Sequence, residues 1–239
     1  MNLFASIVLA SAVAPTHVAA AKPIAYTSFI RDKALYHVVK ADLDSGRVNP
    51  VTVYRPQLVS TWKLVTSANA TVGITGTFFA PGSGYPVGDV LIDGELKVHG
   101  NRGSAIGVDH FGSVDIFDTR FRKEYDWSNY KWGLRGAVRL ISGGKVCPNP
   151  KAQKFKDPRI WGKASRTAIG LTKSGKLLLV ATKNNVTLSQ LGKAMLSRGV
   201  VDAISMDGGG STCLYYRGKM VIGTARRLSN MFVLQETSE

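Results

Sequence analysis

Ile204-Ser205-Met206-Asp207-Gly208-Gly209-Gly210-Ser211-Thr212 is the stretch on which the reading of this chain turns. An apolar strand runs straight into a carboxylate, three glycines and two hydroxyls. Glycines in series permit backbone conformations that a β-carbon forbids. Their unshielded N–H groups can line a concave nest for an anion. Asp207 would then face whatever the nest holds. A tight turn in which Asp207 caps local amides is the other reading of the same residues.

Working outward, the flanks are regular. Residues 201–206 read as the strand that delivers Asp207. Before it, Thr187 is a plausible N-cap. Leu188, Leu191, Met195 and Leu196 form the apolar face of the helix it starts, and Gly199 ends that helix. Residues 167–171 and 177–182 form a hairpin around Lys173-Ser174-Gly175-Lys176. Strands are expected near 214–216 and 231–234. In the first half, Tyr36-His37-Val38-Val39 and Val51-Thr52-Val53-Tyr54 read as strands, with Asp44-Ser45-Gly46 a turn between them. Residues 57–69 take a helical period that places Leu58, Trp62, Val65 and Asn69 near one face. Residues 72–79 return to strand, 81–86 form a loop, and Val90-Leu91-Ile92 and Leu96-Lys97-Val98 flank Asp93-Gly94 as a hairpin. Residues 104–108 and 113–117 make another strand pair. Residues 123–163 mix Trp127, Tyr130, Trp132 and Trp161 with many charges and three prolines, and read as strands linked by a long functional loop. The order predicts an α+β fold: a single domain with a mixed, largely antiparallel β-sheet core flanked by a few helices.

The 239 residues suit one domain, spanning 21–239 once an export signal at 1–20 is set aside. That signal reads from an apolar run, Pro15 and the small residues Val18-Ala19-Ala20, although no Lys or Arg precedes Lys22. An exported, periplasmic or secreted protein follows. Hydrophobic residues at 44% and charged residues at 20% exclude wholesale disorder. The net charge of +15 favours anionic partners. Residues 120–166 hold thirteen basic and three acidic side chains, a balance of +10. That stretch is either an ordinary solvated surface or a landing surface for a phosphate-bearing polymer or an anionic envelope. Nucleic acid is not expected, because no recognised motif accompanies the charge. Cys147 and Cys213 either pair in an oxidising compartment or act as small hydrophobes. His37, His99 and His110 are scattered, so neither a metal nor a cofactor is expected.

Three further segments bear on the Asp207 turn. Gly73-Ile74-Thr75-Gly76-Thr77-Phe78-Phe79 ends a strand with small residues and two aromatics, which serve either the core or a sugar platform. Ser165-Arg166-Thr167-Ala168-Ile169-Gly170 puts an arginine at the mouth of an apolar strand, where it could grip phosphate or form a surface ion pair. Arg226-Arg227-Leu228-Ser229-Asn230 offers cationic and amide donors just before the last strand.

Taken in order, these motifs resemble phosphodiester glycosidase domains, over most of residues 30–235. The resemblance implies hydrolysis of a sugar-1-phosphodiester to a sugar and a phosphomonoester. It implies Asp207 as nucleophile, base or stabiliser of the ring charge, with Arg166 and Arg226 clamping phosphate beside Gly208, Gly209, Gly210 and Ser211. Thr75, Phe78, Phe79, Thr167, Ser211 and Asn230 are the expected substrate-binding side chains. Pro86-Val87-Gly88 and Asp93-Gly94 resemble the family's middle hairpin. Asp89 and Asp93 are candidates for a second carboxylate. The family usually carries Asn where this chain has Thr75. The expected partner is a sugar-phosphate or anionic glycan, and a module that binds envelope glycans without cutting them is the alternative.

Overall fold

The computed structural model describes residues 22–80 and 82–237. The expected export signal at residues 1–20 lies outside the described residues. The described chain opens with a hairpin, β1 (Ile24–Arg31) and β2 (Ala34–Ala41). Its two turn residues, Asp32 and Lys33, have φ of 50° and 63°. Such a left-handed pair matches the twist of the strands it joins. β3 (Val48–Val59) leads to α1 (Thr61–Ser67), which the Ser60 hydroxyl caps by accepting from the Lys63 amide. β4 (Val72–Thr75) follows. β5 (Val90–Ile92) and β6 (Glu95–Val98) turn through Asp93 and Gly94, at φ 53° and 77°. β7 (Ser104–Asp109) pairs with β8 (Val114–Asp118).

β9 (Tyr130–Ser142) is a long strand inside the charged stretch, and β10 (Lys145–Val146) folds back on it. α2 (Pro158–Trp161) is a single turn whose N-cap is Asp157. β11 (Ala164–Thr172) and β12 (Leu177–Val186) form the expected hairpin. α3 (Leu188–Leu196) starts at a capping box in which Thr187 and Gln190 satisfy each other's amides. β13 (Val200–Ser205), β14 (Leu214–Tyr216), β15 (Lys219–Ile222) and β16 (Leu228–Glu236) complete the order, with a 3-10 turn at Gly209–Ser211.

The strands make two sheets. The larger runs β1-β2-β12-β11-β13-β9-β5-β6, with β7 and β10 also on β9 and β8 on β7. The smaller runs β15-β14-β4-β16-β3. The sheets face each other across one apolar layer. Ile169, Leu179 and Ile204 of the larger meet Val72, Ile74 and Phe232 of the smaller. Alternation along each strand supplies a second face. Ala168, Val180 and Ala203 point the other way, onto Leu191 and Met195 of α3. Val51, Met231 and Val233 pack on Leu64 and Val65 of α1. The layers are therefore helix, sheet, sheet, helix.

The fold is sheet-dominated, with three short helices among the described residues. Every strand pair described is antiparallel, which corrects the mixed sheet expected above. Residues 57 and 58 belong to β3, and α1 begins only after Ser60. Its inner face is Thr61, Leu64 and Val65, while Trp62 is 50% exposed. Leu196 is likewise 39% exposed, outside the apolar face of α3. β15 has no counterpart in the sequence reading. Cys147 is exposed and Cys213 buried, and both are free thiols.

Candidate active site

The Asp207 turn sits where the two sheets meet. The Met206 amide still donates to the Thr167 carbonyl of β11, at 3.0 Å. The next amide, Asp207, donates to the Gly76 carbonyl just beyond β4, also at 3.0 Å. The chain thus crosses from the larger sheet to the smaller at the carboxylate. The Thr167 hydroxyl pins this crossing by donating to the Asp207 carbonyl at 2.6 Å. Glycine is needed on steric grounds. A β-carbon on Gly208 would lie 2.6 Å from the Ser165 carbonyl oxygen, and Gly209 has φ +57°.

Asp207 is half-buried at the floor of a pocket of about 400 Å³, a size suited to a small ligand. Desolvation pushes its carboxyl up to about 6. The Ser211 hydroxyl, the Gly208 amide at 2.8 Å, Arg226 and Arg159 all favour the ionised form and hold the rise in check. The amide nest is smaller than expected. Gly208 N is spent on the Asp207 carboxylate, and the Ser211 and Thr212 amides close the 3-10 turn. Gly209 and Gly210 line the pocket. The Arg226 guanidinium lies against Gly210, with Nη1 3.4 Å from the Ser211 hydroxyl.

Arg166 also lines the pocket, but it is only 2% exposed. Its Nε donates to the Val186 carbonyl at 3.3 Å. Its Nη2 donates to the carbonyls of Ile160 at 3.1 Å, Arg159 at 3.4 Å and Gly162. Its Nε and Nη2 are thus committed to backbone carbonyls. Arg166 fastens α2 to β11. Burial pulls its pKa down, and Asp207 opposes that change.

α2 and the loop before it form a pocket wall inside the stretch read as a long functional loop, although the sequence reading singled out none of its residues for the site. Asp157 and Arg159 make a bidentate ion pair there, with contacts of 2.6 to 3.0 Å. Arg159 holds the Asp157 carboxyl below its ordinary range, through hydrogen bonds first. Phe155 is buried on the same wall, 5.6 Å between ring centroids from Phe78. Phe78 and Phe79 both line the pocket, Phe79 with a bridge to Pro86. The signal that could have revealed this wall is Asp157-Pro158, an N-cap followed by a helix-starting proline.

Thr75, Thr167 and Asn230 do not line the pocket. The Thr75 hydroxyl donates to the Ser211 carbonyl at 2.6 Å and accepts from the Cys213 amide at 3.0 Å. Asn230 is buried, and its side-chain oxygen accepts from the Thr77 amide at 2.7 Å. These groups brace the backbone that bears the site. Ser211 is fully buried behind Asp207 and acts on it from there. Asp89 is buried against Arg135 at 3.4 Å and Trp127 Nε1 at 2.9 Å. Asp93 is paired with Lys131 at a hairpin tip. Neither lines the pocket, whereas Asp157 does.

A family model described as phosphodiester glycosidase matches residues 68–235. Human N-acetylglucosamine-1-phosphodiester alpha-N-acetylglucosaminidase is 27% identical over 172 residues, which is 64% of this chain and 33% of that protein. The chain thus corresponds to about a third of that relative's length. The zebrafish enzyme of the same name, solved as a catalytic domain auto-inhibited by its pro-peptide, superposes with a TM-score of 0.75 at 18% identity. That match covers 92% of this chain and 85% of the zebrafish one. A hypothetical protein from Synechocystis gives 0.74 at 14% identity, over 92% of this chain and 65% of its own. At such identities the two structures speak for the fold alone.

Proposed function

The chain belongs to the phosphodiester glycosidase family, and on that premise we propose that it hydrolyses a sugar-1-phosphodiester at the bond between the anomeric carbon and the phosphate oxygen. The observation that carries this reading is the meeting of Asp207 with Arg226, Arg159 and Arg166 around one pocket. Cleavage leaves positive charge on the sugar ring and negative charge on the departing phosphate. A phosphomonoester leaves with the bonding electron pair and needs little protonation, so charge stabilisation decides the barrier. Asp207, once ionised, faces the ring and either supports its charge or takes the proton of the attacking water. Water's oxygen becomes the anomeric hydroxyl. Arg226 and the amides of Gly209 and Gly210 receive the phosphate. Phe78 and Phe79 offer the sugar an apolar surface. Asp157 replaces Asp89 and Asp93 as the candidate for a second carboxylate. Arg166 works through α2, as a positioning residue.

The protein is read as exported, from the apolar run at its start. No helix among the described residues is long and apolar enough to cross a membrane.

The decisive experiment is Asp207→Asn assayed on a sugar-1-phosphate diester, with released phosphomonoester as the readout. The expected result is a loss of kcat of about a hundredfold or more. A folded variant with full turnover takes Asp207 out of the chemistry.

A further inference from the structure

The pocket carries more positive charge than one phosphodiester can neutralise. Five cations line it: Arg102, Lys156, Arg159, Arg166 and Arg226. Two of these are occupied. Arg159 is paired with Asp157, and Arg166 is tied to backbone carbonyls. Arg226, Arg102 and Lys156 have no carboxylate within ion-pair distance among the described residues. Like charges gathered around a cavity repel one another unless an anion enters.

The three unpaired cations fall into two groups. Arg226 lies over Gly210 and acts on the Asp207 carboxylate. Arg102 and Lys156 line the same pocket and are not among the groups that act on Asp207. Arg102 is also held in place. Its Nη1 donates to the Lys154 carbonyl at 3.1 Å, its Nε donates to Asn101 at 3.0 Å, and its guanidinium lies 5.6 Å from the centre of the Phe121 ring. Those contacts fix its orientation while leaving its charge uncompensated. Lys156, two residues beyond the carbonyl that Arg102 holds, is exposed at the same rim.

We propose that Arg102 and Lys156 form a seat for a second anionic group, so that the preferred substrate is a sugar-1-phosphodiester bearing a further negative charge next to the scissile phosphate. This rests on the hydrolase reading above and narrows its substrate class. The second charge comes either from a diphosphate linkage or from a carboxylate or phosphate on the neighbouring sugar of an acidic glycan.

The test compares three diesters of one sugar: a monophosphate with a neutral aglycone, a diphosphate, and a monophosphate whose neighbouring sugar carries a carboxylate. The expected KM for at least one of the doubly charged substrates is about tenfold below that of the singly charged one. In Lys156→Ala and in Arg102→Ala that KM ratio falls towards one. Whichever doubly charged substrate gains identifies the source of the charge. Lys156→Ala removes no hydrogen bond or ion pair among the described residues, so it stands if Arg102→Ala disturbs the wall. Calorimetry with inorganic pyrophosphate and inorganic phosphate separates the two readings. A pyrophosphate preference that depends on Lys156, with no diester cleaved, keeps the second seat and ends the hydrolase reading. Equal binding of the two ions, or a preference that survives both substitutions, overturns the seat.

Discussion

The Thr167 hydroxyl meets the Asp207 carbonyl at 2.6 Å, so the first strand of the β11–β12 hairpin holds the peptide that carries the pocket's carboxylate. This bond and the Gly76 carbonyl on the other side fix Asp207 at the junction of two sheets. Its environment then sets its protonation.

The raised carboxyl of Asp207 makes stability fall as pH rises. Its folded pKa, about 6, exceeds the ordinary 3.8, so the folded state binds the proton more tightly than the unfolded state. The stabilisation is complete below the unfolded value and lost as pH climbs through the folded one. The whole change is on the order of 3 kcal/mol. Thermal melts from pH 4 to pH 8 should show the decline, and Asp207→Asn should flatten it and melt higher at pH 8. Activity should run the opposite way, rising as Asp207 ionises through about pH 6.

Arg166→Lys should detach α2 without emptying the pocket of charge. A lysine cannot reach the Val186, Ile160 and Arg159 carbonyls together. We expect a loss of roughly 2–4 kcal/mol in urea titration. KM should rise with it, because Asp157 and Arg159 ride on the same turn.

Thr75→Val should act through the backbone. Valine keeps the shape and removes the group that joins the Ser211 carbonyl to the Cys213 amide. Leaving both buried and unpaired costs about 1–3 kcal/mol. Thr75→Ser should recover most of that, and hydrogen exchange at Cys213 reports the bond directly.

Asp89→Ala should be among the most damaging changes away from the pocket. Arg135 is fully buried and Asp89 nearly so. Removing the carboxylate strands a buried guanidinium, at about 3–5 kcal/mol. Measured turnover per folded molecule should stay near normal if Asp89 is structural, as its contacts indicate.

Much of the frame was legible because turn chemistry and period are local. The Asp93-Gly94 hairpin, the Thr187 cap and the strand entering Asp207 all follow from neighbours in sequence. Direction was not legible. Thr75 and Asn230 are polar residues beside the site, and only coordinates show both side chains turned to backbone. Pairing between distant segments was hidden as well. Asp89 finds Arg135 across 46 positions, which removes it from the list of free carboxylates. No residue of the α2 wall was singled out for the site, because one helical turn has no periodicity to detect and its charges sat in a long basic stretch.

The pocket is assembled from parts of unequal permanence. The carboxylate belongs to the junction of both sheets and cannot shift without unsettling the core. Lys156, Asp157 and Arg159 belong to a surface excursion between β10 and β11. Grafting a different excursion there would change the rim of the pocket and, through Arg159, the charge felt at Asp207, while leaving the two-sheet frame untouched.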